Sequence, residues 1–287
     1  MLRKIIIFGD PRRKYATEAM QRFLSFTEGK VELLSNCFDK TCSIETLKQA
    51  DFAVVFGGDG TILSAARDLC EADVPVIGVN VGKLGFLAEF SIEELKQTFD
   101  QVTDDPELIE KRMILTCSIE RDGGQIFDYT AVNDVVISAG EPFSMVDLQI
   151  SVKGDNVASC FGDGLIVCTP TGSTAYNLSA GGPILSANLS AIVITPLCPH
   201  SLSFRPIVIR AESVIRITTQ KVNPGTTINL DGQLSHKLLP NDIITIKKHH
   251  GAFLVVNNPI RTQWDTLAGK LNWAQKPKYN TEPYKQD

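Results

Sequence analysis

Short apolar runs alternate with amphipathic stretches along the first hundred residues of this 287-residue chain. The apolar runs have the length of buried strands, and the stretches between them carry apolar residues at the spacing of helices. Strands are predicted at KIIIF, VELL, FAVVF and VPVIGV, and helices at 14–26, 43–49, 61–70 and 91–99. Strands and helices that alternate in this way predict βαβ units around a parallel sheet.

The pattern changes after the polar segment TDDPELIE. Beyond it, short β-branched runs with turn residues between them are typical of an antiparallel sandwich or a related all-β domain. The runs are ILTCSIE, AVNDVVIS, VDLQISV, GLIVCT, AIVITP, PIVI, SVIRIT, TTINL, DIITI and AFLVV. We therefore predict an α/β domain over 1–105, a β-rich domain over 106–260 and a C-terminal helix and tail over 261–287.

Helical spacing returns near the end of the chain, in QWDTLAGKL. A helix there would place Trp264, Leu267 and Leu271 on one face.

Charge and hydropathy narrow the classes of function. A formal net charge of −5 argues against broad electrostatic binding of nucleic acid or of an anionic membrane. The longest apolar runs, such as IIIF and AIVI, are far shorter than the roughly 20 residues that cross a bilayer. MLRK leads directly into IIIF with no small-residue cleavage site, so no secretory signal is predicted. A cytoplasmic protein that acts on small molecules is expected.

The seven cysteines are odd in number and scattered, and no two form a C-x-x-C pair. This spacing predicts reduced thiols rather than a zinc site or a disulfide framework.

The stretch VVFGGDGTIL, residues 54–63, predicts a strand, a glycine turn and a helix. Glycines let a ligand approach the backbone, and the N-terminus of a helix suits a phosphate. Asp59 would repel that phosphate, so its carboxylate needs a role of its own. In phosphoryl transfer an Asp orients the acceptor hydroxyl and receives its proton. The alternative is that Asp59 or Thr61 only caps the helix.

A second polar block follows a predicted strand, in GDGLIVCTPTGSTAYNLSAGGP at 162–183. Its small hydroxyl side chains and backbone amides could surround ribose and phosphate oxygens. The alternative is a loop that caps a helix from near Thr174 to just before Gly181. Neither G-x-x-x-x-G-K-[ST] nor G-x-G-x-x-G after a strand is found, which leaves P-loop ATPases and ordinary dinucleotide oxidoreductases without support.

Several other polar residues have two interpretations each. Asp231 in NLDGQ is either a turn residue or a carboxylate that helps to hold Mg²⁺. Lys83 is either a phosphate contact or a solvated loop lysine. His200 is expected to be structural, and His249 with His250 to lie in a solvated turn.

Taken in order, these motifs make the chain resemble the NAD kinase family of bacterial type. The motifs are GGDGT at 57–61, VNVGKLGFL at 79–87, ND at 133–134, the block at 163–183, PLCPHSLSFRPIVI at 196–209, DGQ at 231–233 and the closing QWDTLAGKLNW. GGDGT is shared with diacylglycerol-type lipid kinases, whereas the long block is highly specific. The resemblance covers nearly the whole chain.

The resemblance implies an enzyme that transfers the terminal phosphoryl group of ATP to the 2′-hydroxyl of the adenosine ribose of NAD, giving NADP and ADP. It implies a Rossmann-like α/β domain and a C-terminal β-sandwich-like domain, with the last segment returning to the first domain and NAD in the cleft between the domains. A divalent metal, Mg²⁺, is the implied cofactor, and inorganic polyphosphate is an alternative donor. Family members are usually homodimers or homotetramers.

The resemblance also implies roles for individual positions, with Asp59 as the proton acceptor. The implied dinucleotide-binding positions are Asp59, Gly60, Asn133, Asp134, Ser144, Phe161, Asp163, Thr174, Ala175, Tyr176, Asn177, Leu178, Ser179 and Gln233. The chain departs from the family at two of them. Asp134 is one methylene shorter than the usual Glu, and Phe161 stands where many bacterial members have a basic residue, so the choice between NAD and NADH stays open.

Two other functions compete with this prediction. A lipid or sphingoid kinase would share the GGDGT turn but lack the block at 163–183. A catalytically silent dinucleotide-binding regulator would bind NAD and transfer no phosphoryl group.

Overall fold

The N-terminal part of the protein is an α/β layer around four parallel strands in the order β2-β1-β3-β4. A computed structural model gives the fold of residues 2–38, 42–82 and 85–273. The strands are β1 Arg3–Gly9, β2 Val31–Asn36, β3 Phe52–Phe56 and β4 Val76–Val79, and the helices are α1 Lys14–Phe26, α2 Ile44–Leu47, α3 Asp59–Ala72 and α4 Ile92–Asp104. Lys83 and the tail after Trp273 lie outside the described residues.

Hydrophobic burial on both faces fixes this layer. All five residues of β3 are buried, as expected for a central parallel strand covered by helices on each side. Phe23 of α1 packs against Phe56 and Phe99, with ring centroids 5.7 and 5.8 Å away. At the start of α4, Ser91 and Glu94 form a capping box that satisfies two helix-terminal N–H groups.

The C-terminal part is an antiparallel sandwich. Its strands are β5 Ile109–Arg121, β6 Gly124–Ala131, β7 Asp134–Ser138, β8 Val146–Val152, β9 Asp155–Gly162, β10 Gly164–Cys168, β11 Ala191–Leu197, β12 Ile207–Arg210, β13 Ile215–Lys221, β14 Thr227–Leu230, β15 Leu234–Lys237 and β16 Ile243–Val256. One sheet has the order β12-β11-β10-β7-β14-β15, and β5, β6, β8, β9, β13 and β16 pair in the other. An apolar core fills the space between the two sheets.

Strand β16 joins the two parts into one continuous sheet. It pairs antiparallel with β5 and β13, and parallel with β4 through Val255 and Val76. The two halves therefore share backbone pairing rather than a flexible linker alone.

The predicted fold class is confirmed, with differences in detail. Three strands, β6, β9 and β15, were not predicted, and the predicted runs DIITI and AFLVV are the two ends of the single strand β16. The prediction of a turn at His249 and His250 was wrong, because both lie in β16 where its pairing with β5 shifts register. No helix among the described residues has the length and apolar character needed to span a bilayer.

The closing helix is α6 Gln263–Leu271, capped by a reciprocal pair of hydrogen bonds between Thr262 and Asp265. Its predicted apolar face was only partly right. Leu267 is buried, whereas Trp264 is 55% exposed and packs against Trp273 at a ring-centroid distance of 6.1 Å.

The prediction that all cysteines are reduced was also wrong. Cys37 and Cys42 are joined as a disulfide, with Cα atoms 6.0 Å apart. That separation lies within the range that a disulfide spans. The spacing rule looked for C-x-x-C, and this pair is separated by four residues. Cys70, Cys117, Cys160, Cys168 and Cys198 are free.

Candidate functional site

The glycine turn lies between β3 and α3, at the carboxyl end of the parallel sheet. Gly58 caps α3 in an extended conformation, and Asp59 is the first residue of the helix. A negative side chain is favourable at this position because the N-terminus of a helix carries partial positive charge.

The carboxylate of Asp59 is held by a second loop. Backbone N–H groups of Phe86, Leu87 and Ala88 donate to its oxygens at 2.9, 2.9 and 3.2 Å. The loop must approach so closely that a Cβ on Gly85 would lie 2.0 Å from Asp59 Oδ1. The carboxylate is therefore fixed in one orientation rather than free in a glycine loop.

The predicted DGQ turn organises the facing side of the site. Asp231 has a positive φ of 53° and accepts hydrogen bonds from the backbone N–H groups of Val132, Asn133 and Asp134 at 2.9, 2.7 and 3.1 Å. Its carboxylate thereby holds the backbone of Asn133 and Asp134, the pair predicted to contact the dinucleotide. Among the described residues, no group of three or more His, Cys, Asp or Glu side chains is placed to hold a metal ion, and metal binding by Asp231 stays a prediction.

Gln233 connects this turn to the glycine turn. Its Nε2 donates to the carbonyl oxygen of Gly60 at 2.9 Å, and its Oε1 accepts from Arg67 of α3 at 3.2 Å. The side chain thus joins the two halves of the protein directly beside Asp59.

Two buried carboxyl groups lie side by side in this part of the site. Burial, and in second place the charge of Asp231, raise the pKa of Asp134 to about 7. Burial also raises the pKa of Asp231, although its three backbone hydrogen bonds act in the opposite direction. Asp134 therefore changes charge close to neutral pH.

The predicted block from 162 to 183 packs onto the same turn. Gly172 lies so close to Asn133 that a Cβ would be 2.1 Å from the Asn133 carbonyl oxygen. Asn133 Oδ1 and Thr171 Oγ1 are both buried without a hydrogen-bond partner within the described residues. Buried polar atoms usually have partners, so these two atoms mark places where a bound molecule would complete the hydrogen bonding.

The residues from 174 to 179 do not all face outward. A 3-10 helix, Thr171–Thr174, leads into the short helix α5, Tyr176–Ser179. Asn177 is fully buried: its amide donates to the Ser173 and Pro183 carbonyls, both at 3.1 Å, and it accepts from Thr195 at 2.6 Å. The side chains in this segment with solvent-accessible surface are those of Thr174, Ala175, Tyr176, Leu178 and Ser179.

Two cavities flank Asp59. The larger, 560 Å³, lies beside the glycine turn and is lined by Gly58, Gly60, Thr61, Arg12 and Arg13 among others. The smaller, 50 Å³, lies between the Asp59-binding loop, the polar block and α6, where Phe86, Thr171, Thr174 and Leu267 line it. The first has the size of a ligand pocket, and the second is too small for a dinucleotide without movement of its walls.

Three predicted site residues lie elsewhere. Asp163 precedes β10, whereas Asp134 pairs with Cys168 at the opposite end of that strand. Ser144 and Phe161 lie near Asp163, because β8 begins at Val146, which pairs with Gly162. At about 3.3 Å per strand residue, the two ends are separated by about 17 Å.

Residues that the sequence did not single out also reach Asp59. Phe86 lies within the quoted motif VNVGKLGFL, and Lys270 lies within QWDTLAGKL. Lys270 Nζ is 3.5 Å from Asp59 Oδ2 and 4.2 Å from the centroid of the Phe86 ring. Both motifs were noted in the sequence, but their spacing did not indicate that the Phe86 backbone and the Lys270 side chain contact Asp59.

Comparison with known proteins gives consistent matches over the whole described fold. The family model for the ATP-NAD kinase N-terminal domain matches residues 11–107, and the model for the ATP-NAD kinase C-terminal domain matches residues 132–258. The NAD kinase of Magnetococcus marinus is 38% identical over 276 residues, which cover 93% of this chain and 91% of that protein. The NAD kinase of Citrifermentans bemidjiense is 37% identical over 288 residues, covering 96% of this chain and 100% of that protein.

Solved structures agree in fold. The yeast NADH kinase in complex with NADH superposes with a TM-score of 0.86 at 26% identity, covering 97% of this chain and 90% of that one. An NAD kinase from Archaeoglobus fulgidus in complex with ATP gives a TM-score of 0.76 at 27% identity, covering 94% of this chain and 99% of that one.

Proposed function

The chain belongs to the NAD kinase family and is an enzyme that phosphorylates NAD with ATP as the donor, and we propose that Asp59 accepts the proton of the attacking 2′-hydroxyl. The product would be NADP, so the enzyme serves NADP biosynthesis. Nothing in the comparisons supports a lipid kinase or a catalytically silent regulator.

The observation that carries this proposal is the fixed carboxylate of Asp59 at the N-terminus of α3, between two cavities. Three backbone N–H groups orient it, so it can receive a proton from a hydroxyl group without first reorganising. In a loose transition state for phosphoryl transfer the proton leaves the hydroxyl late, and a carboxylate is sufficient as acceptor.

The donor is proposed to occupy the 560 Å³ cavity beside the glycine turn. There the backbone of Gly58 and Gly60 and the first turn of α3 face the phosphates. Arg12 and Arg13 line the same cavity and add positive charge, although both also pair with Asp10.

The adenosine half of NAD is proposed to lie against the facing side of the site. An amino group of the base would satisfy the buried Oδ1 of Asn133, and a ribose hydroxyl would satisfy the buried Oγ1 of Thr171. Asp134, Thr174 and Gln233 would complete this contact surface. The present 50 Å³ cavity requires α6 or the loop around Phe86 to move when the dinucleotide enters.

Mg²⁺ is proposed as the metal, brought in on the phosphates of ATP. Within the described residues the carboxylates offer no cluster for a cage made by protein alone, and both Asp59 and Asp231 already accept backbone hydrogen bonds. These carboxylates suit Mg²⁺, which is usually bound largely through substrate phosphates and keeps several of its water ligands. When bound, the metal would neutralise phosphate charge, and activity should require it. Inorganic polyphosphate stays an alternative donor.

A homodimer or homotetramer is proposed as the working form in the cytoplasm. Ser144, Phe161 and Asp163 lie at the end of β10 opposite to Asp134, about 17 Å along that strand from the Asn133–Asp134 side of the site. In a closed oligomer this end of one copy would meet the nicotinamide half of the NAD that is held by another copy.

The test is the change Asp59→Asn, assayed for NADP formation from NAD, ATP and Mg²⁺. The variant should lose about 1,000-fold in kcat because it has no proton acceptor, while NAD still binds with an unchanged Kd by calorimetry. Glu71→Gln is the matched control, since Glu71 is an exposed carboxylate of the same helix and does not line the cavity proposed for the donor. A kcat for Asp59→Asn within threefold of the parent would remove Asp59 from the mechanism.

A further inference from the structure

Lys270 reaches the glycine turn from the last helix of the described chain. Its ammonium is 3.5 Å from Asp59 Oδ2, and it also lies over the ring of Phe86, the residue whose N–H donates to that same oxygen. No other ion pair to Asp59 is formed within the described residues. One lysine thus contacts both the candidate proton acceptor and the loop that orients it.

The helix that carries Lys270 is held in place by contacts around its first turn. The helix begins with a capping box at Thr262, and Gln263 accepts a hydrogen bond at 3.0 Å from Ser186, which follows the polar block in the C-terminal part. Just before the helix, Arg261 is paired with Glu94 of α4 at 2.6 Å. These contacts attach α6 to both parts of the protein, and they place Lys270 one turn beyond the buried Leu267.

Stability gives little reason for this ion pair. The side chains of Lys270 and Asp59 are 26% and 29% exposed, and ion pairs that contact water contribute little to folding. The ion pair is better explained by the negative charge that the reaction brings to this point. A donor with several negative charges has to approach a carboxylate, the turn GGDGT contains no Lys or Arg, and the nearby Arg12 and Arg13 are already paired with Asp10.

We propose that Lys270 is a positioning residue for phosphoryl transfer, acting through Asp59. Its ammonium balances the charge of the carboxylate while the donor phosphates approach, and it holds Oδ2 directed at the acceptor hydroxyl. Oδ1 accepts two backbone N–H groups and Oδ2 accepts one, so Oδ2 is the oxygen with room for a proton. The 3.5 Å contact is longer than a hydrogen bond, and the acceptor hydroxyl can enter beside the ammonium.

This inference rests on the proposed role of Asp59, and its test separates the two. The variants are Lys270→Met, which keeps the aliphatic stem over Phe86 without the charge, and Lys270→Arg, which keeps the charge. Arg261→Met is the matched control, because it removes an ion pair that attaches the same segment but lies away from Asp59. Each is assayed for kcat and for the KM of NAD and of ATP, with thermal unfolding measured alongside.

Lys270→Met should lower kcat about 50-fold, somewhat less than the roughly 100- to 1,000-fold lost with one preorganised donor that contacts the reacting group, because Lys270 acts through Asp59; the KM of NAD should stay within about threefold of the parent. Lys270→Arg should recover kcat to within about fivefold, and Arg261→Met should stay within about threefold of the parent. The idea fails if Lys270→Met keeps kcat within threefold. It also fails if Arg261→Met loses as much as Lys270→Met, because docking of the helix would then explain the effect.

The double variant Asp59→Asn with Lys270→Met completes the test. If Lys270 acts through Asp59, adding Lys270→Met to Asp59→Asn should change kcat by less than about twofold. A full additional 50-fold loss would overturn the proposal while leaving Asp59 as proton acceptor. An active Asp59→Asn variant would instead refute the role of Asp59, and with it any action of Lys270 through that residue.

Discussion

A methyl group added at Gly85 should impair catalysis without touching any substrate. An ideal Cβ there lies 2.0 Å from Asp59 Oδ1 and 2.9 Å from its Cγ, whereas real Cβ contacts essentially never fall below 3.0 Å. The carboxylate must therefore move by 1 Å or more, or the loop must withdraw its three N–H donors. Misplacement of a reacting group by about 1 Å costs about 100-fold in rate, which corresponds to about 2.7 kcal/mol.

The assay compares Gly85→Ala with Gly82→Ala in steady-state NADP formation. Gly82 belongs to the same motif, VNVGKLGFL, and a Cβ there meets no atom of the described residues within 4 Å, so it controls for the conformational freedom of a glycine in this motif. Gly85→Ala should lose about 100-fold in kcat, and Gly82→Ala should stay within about threefold. Equal kcat values for the two variants would refute the view that the loop sets the position of Asp59.

Two further predictions concern the buried carboxyl group of Asp134 and the position of Asp163 at the other end of β10. Because the pKa of Asp134 is raised from 3.8 to about 7, the folded state holds the proton more tightly, and its stability falls as pH rises from about 4 to about 7, with no further loss above that pH. The free energy of unfolding of Asp134→Asn, relative to that of the parent, should therefore rise by about 2.5 kcal/mol from pH 5 to pH 8 when both are measured by urea unfolding. If the two proteins show the same dependence of stability on pH, this prediction is wrong. The variants Asp59→Asn and Asp163→Asn should each be nearly inactive alone, but subunits of the two mixed in equal amounts should recover about one quarter of the parental rate. About half of the dimers are then mixed, and each mixed dimer has one intact site of two. No recovery would place both residues in the same chain's site.

The alternation of apolar runs and helical spacing was enough to predict the parallel sheet and the position of Asp59. Every residue of FAVVF is buried, so its continuous apolar run directly indicates a strand that is covered on both faces. Strands such as β9, Asp155–Gly162, were not predicted because a partly exposed edge strand lacks that pattern. Hydrophobic periodicity reports burial, and the edges of sheets are only half buried.

The site was predictable in its parts and not in its arrangement. Asp231 looked like a turn or a metal ligand, and its three hydrogen bonds to the 132–134 backbone depend on a contact between residues almost 100 positions apart. In the same way, the inward orientation of Asn177 depends on a hydrogen bond from Thr195, which lies in strand β11. Pairings of this kind arise from tertiary packing and leave no local spacing in the chain.

The junction between β4 and β16 has a consequence for how the protein is made. Strand β4 ends at Val79, while its neighbour β16 begins only at Ile243. At about 5–20 residues per second, the ribosome would leave the edge of β4 uncovered for roughly 10 to 35 s after the first four strands have emerged. An unpaired edge beside a hydrophobic sheet is a template for aggregation. The nascent N-terminal half therefore has a period of exposure in which a chaperone could bind it, and that period ends when β16 leaves the ribosome.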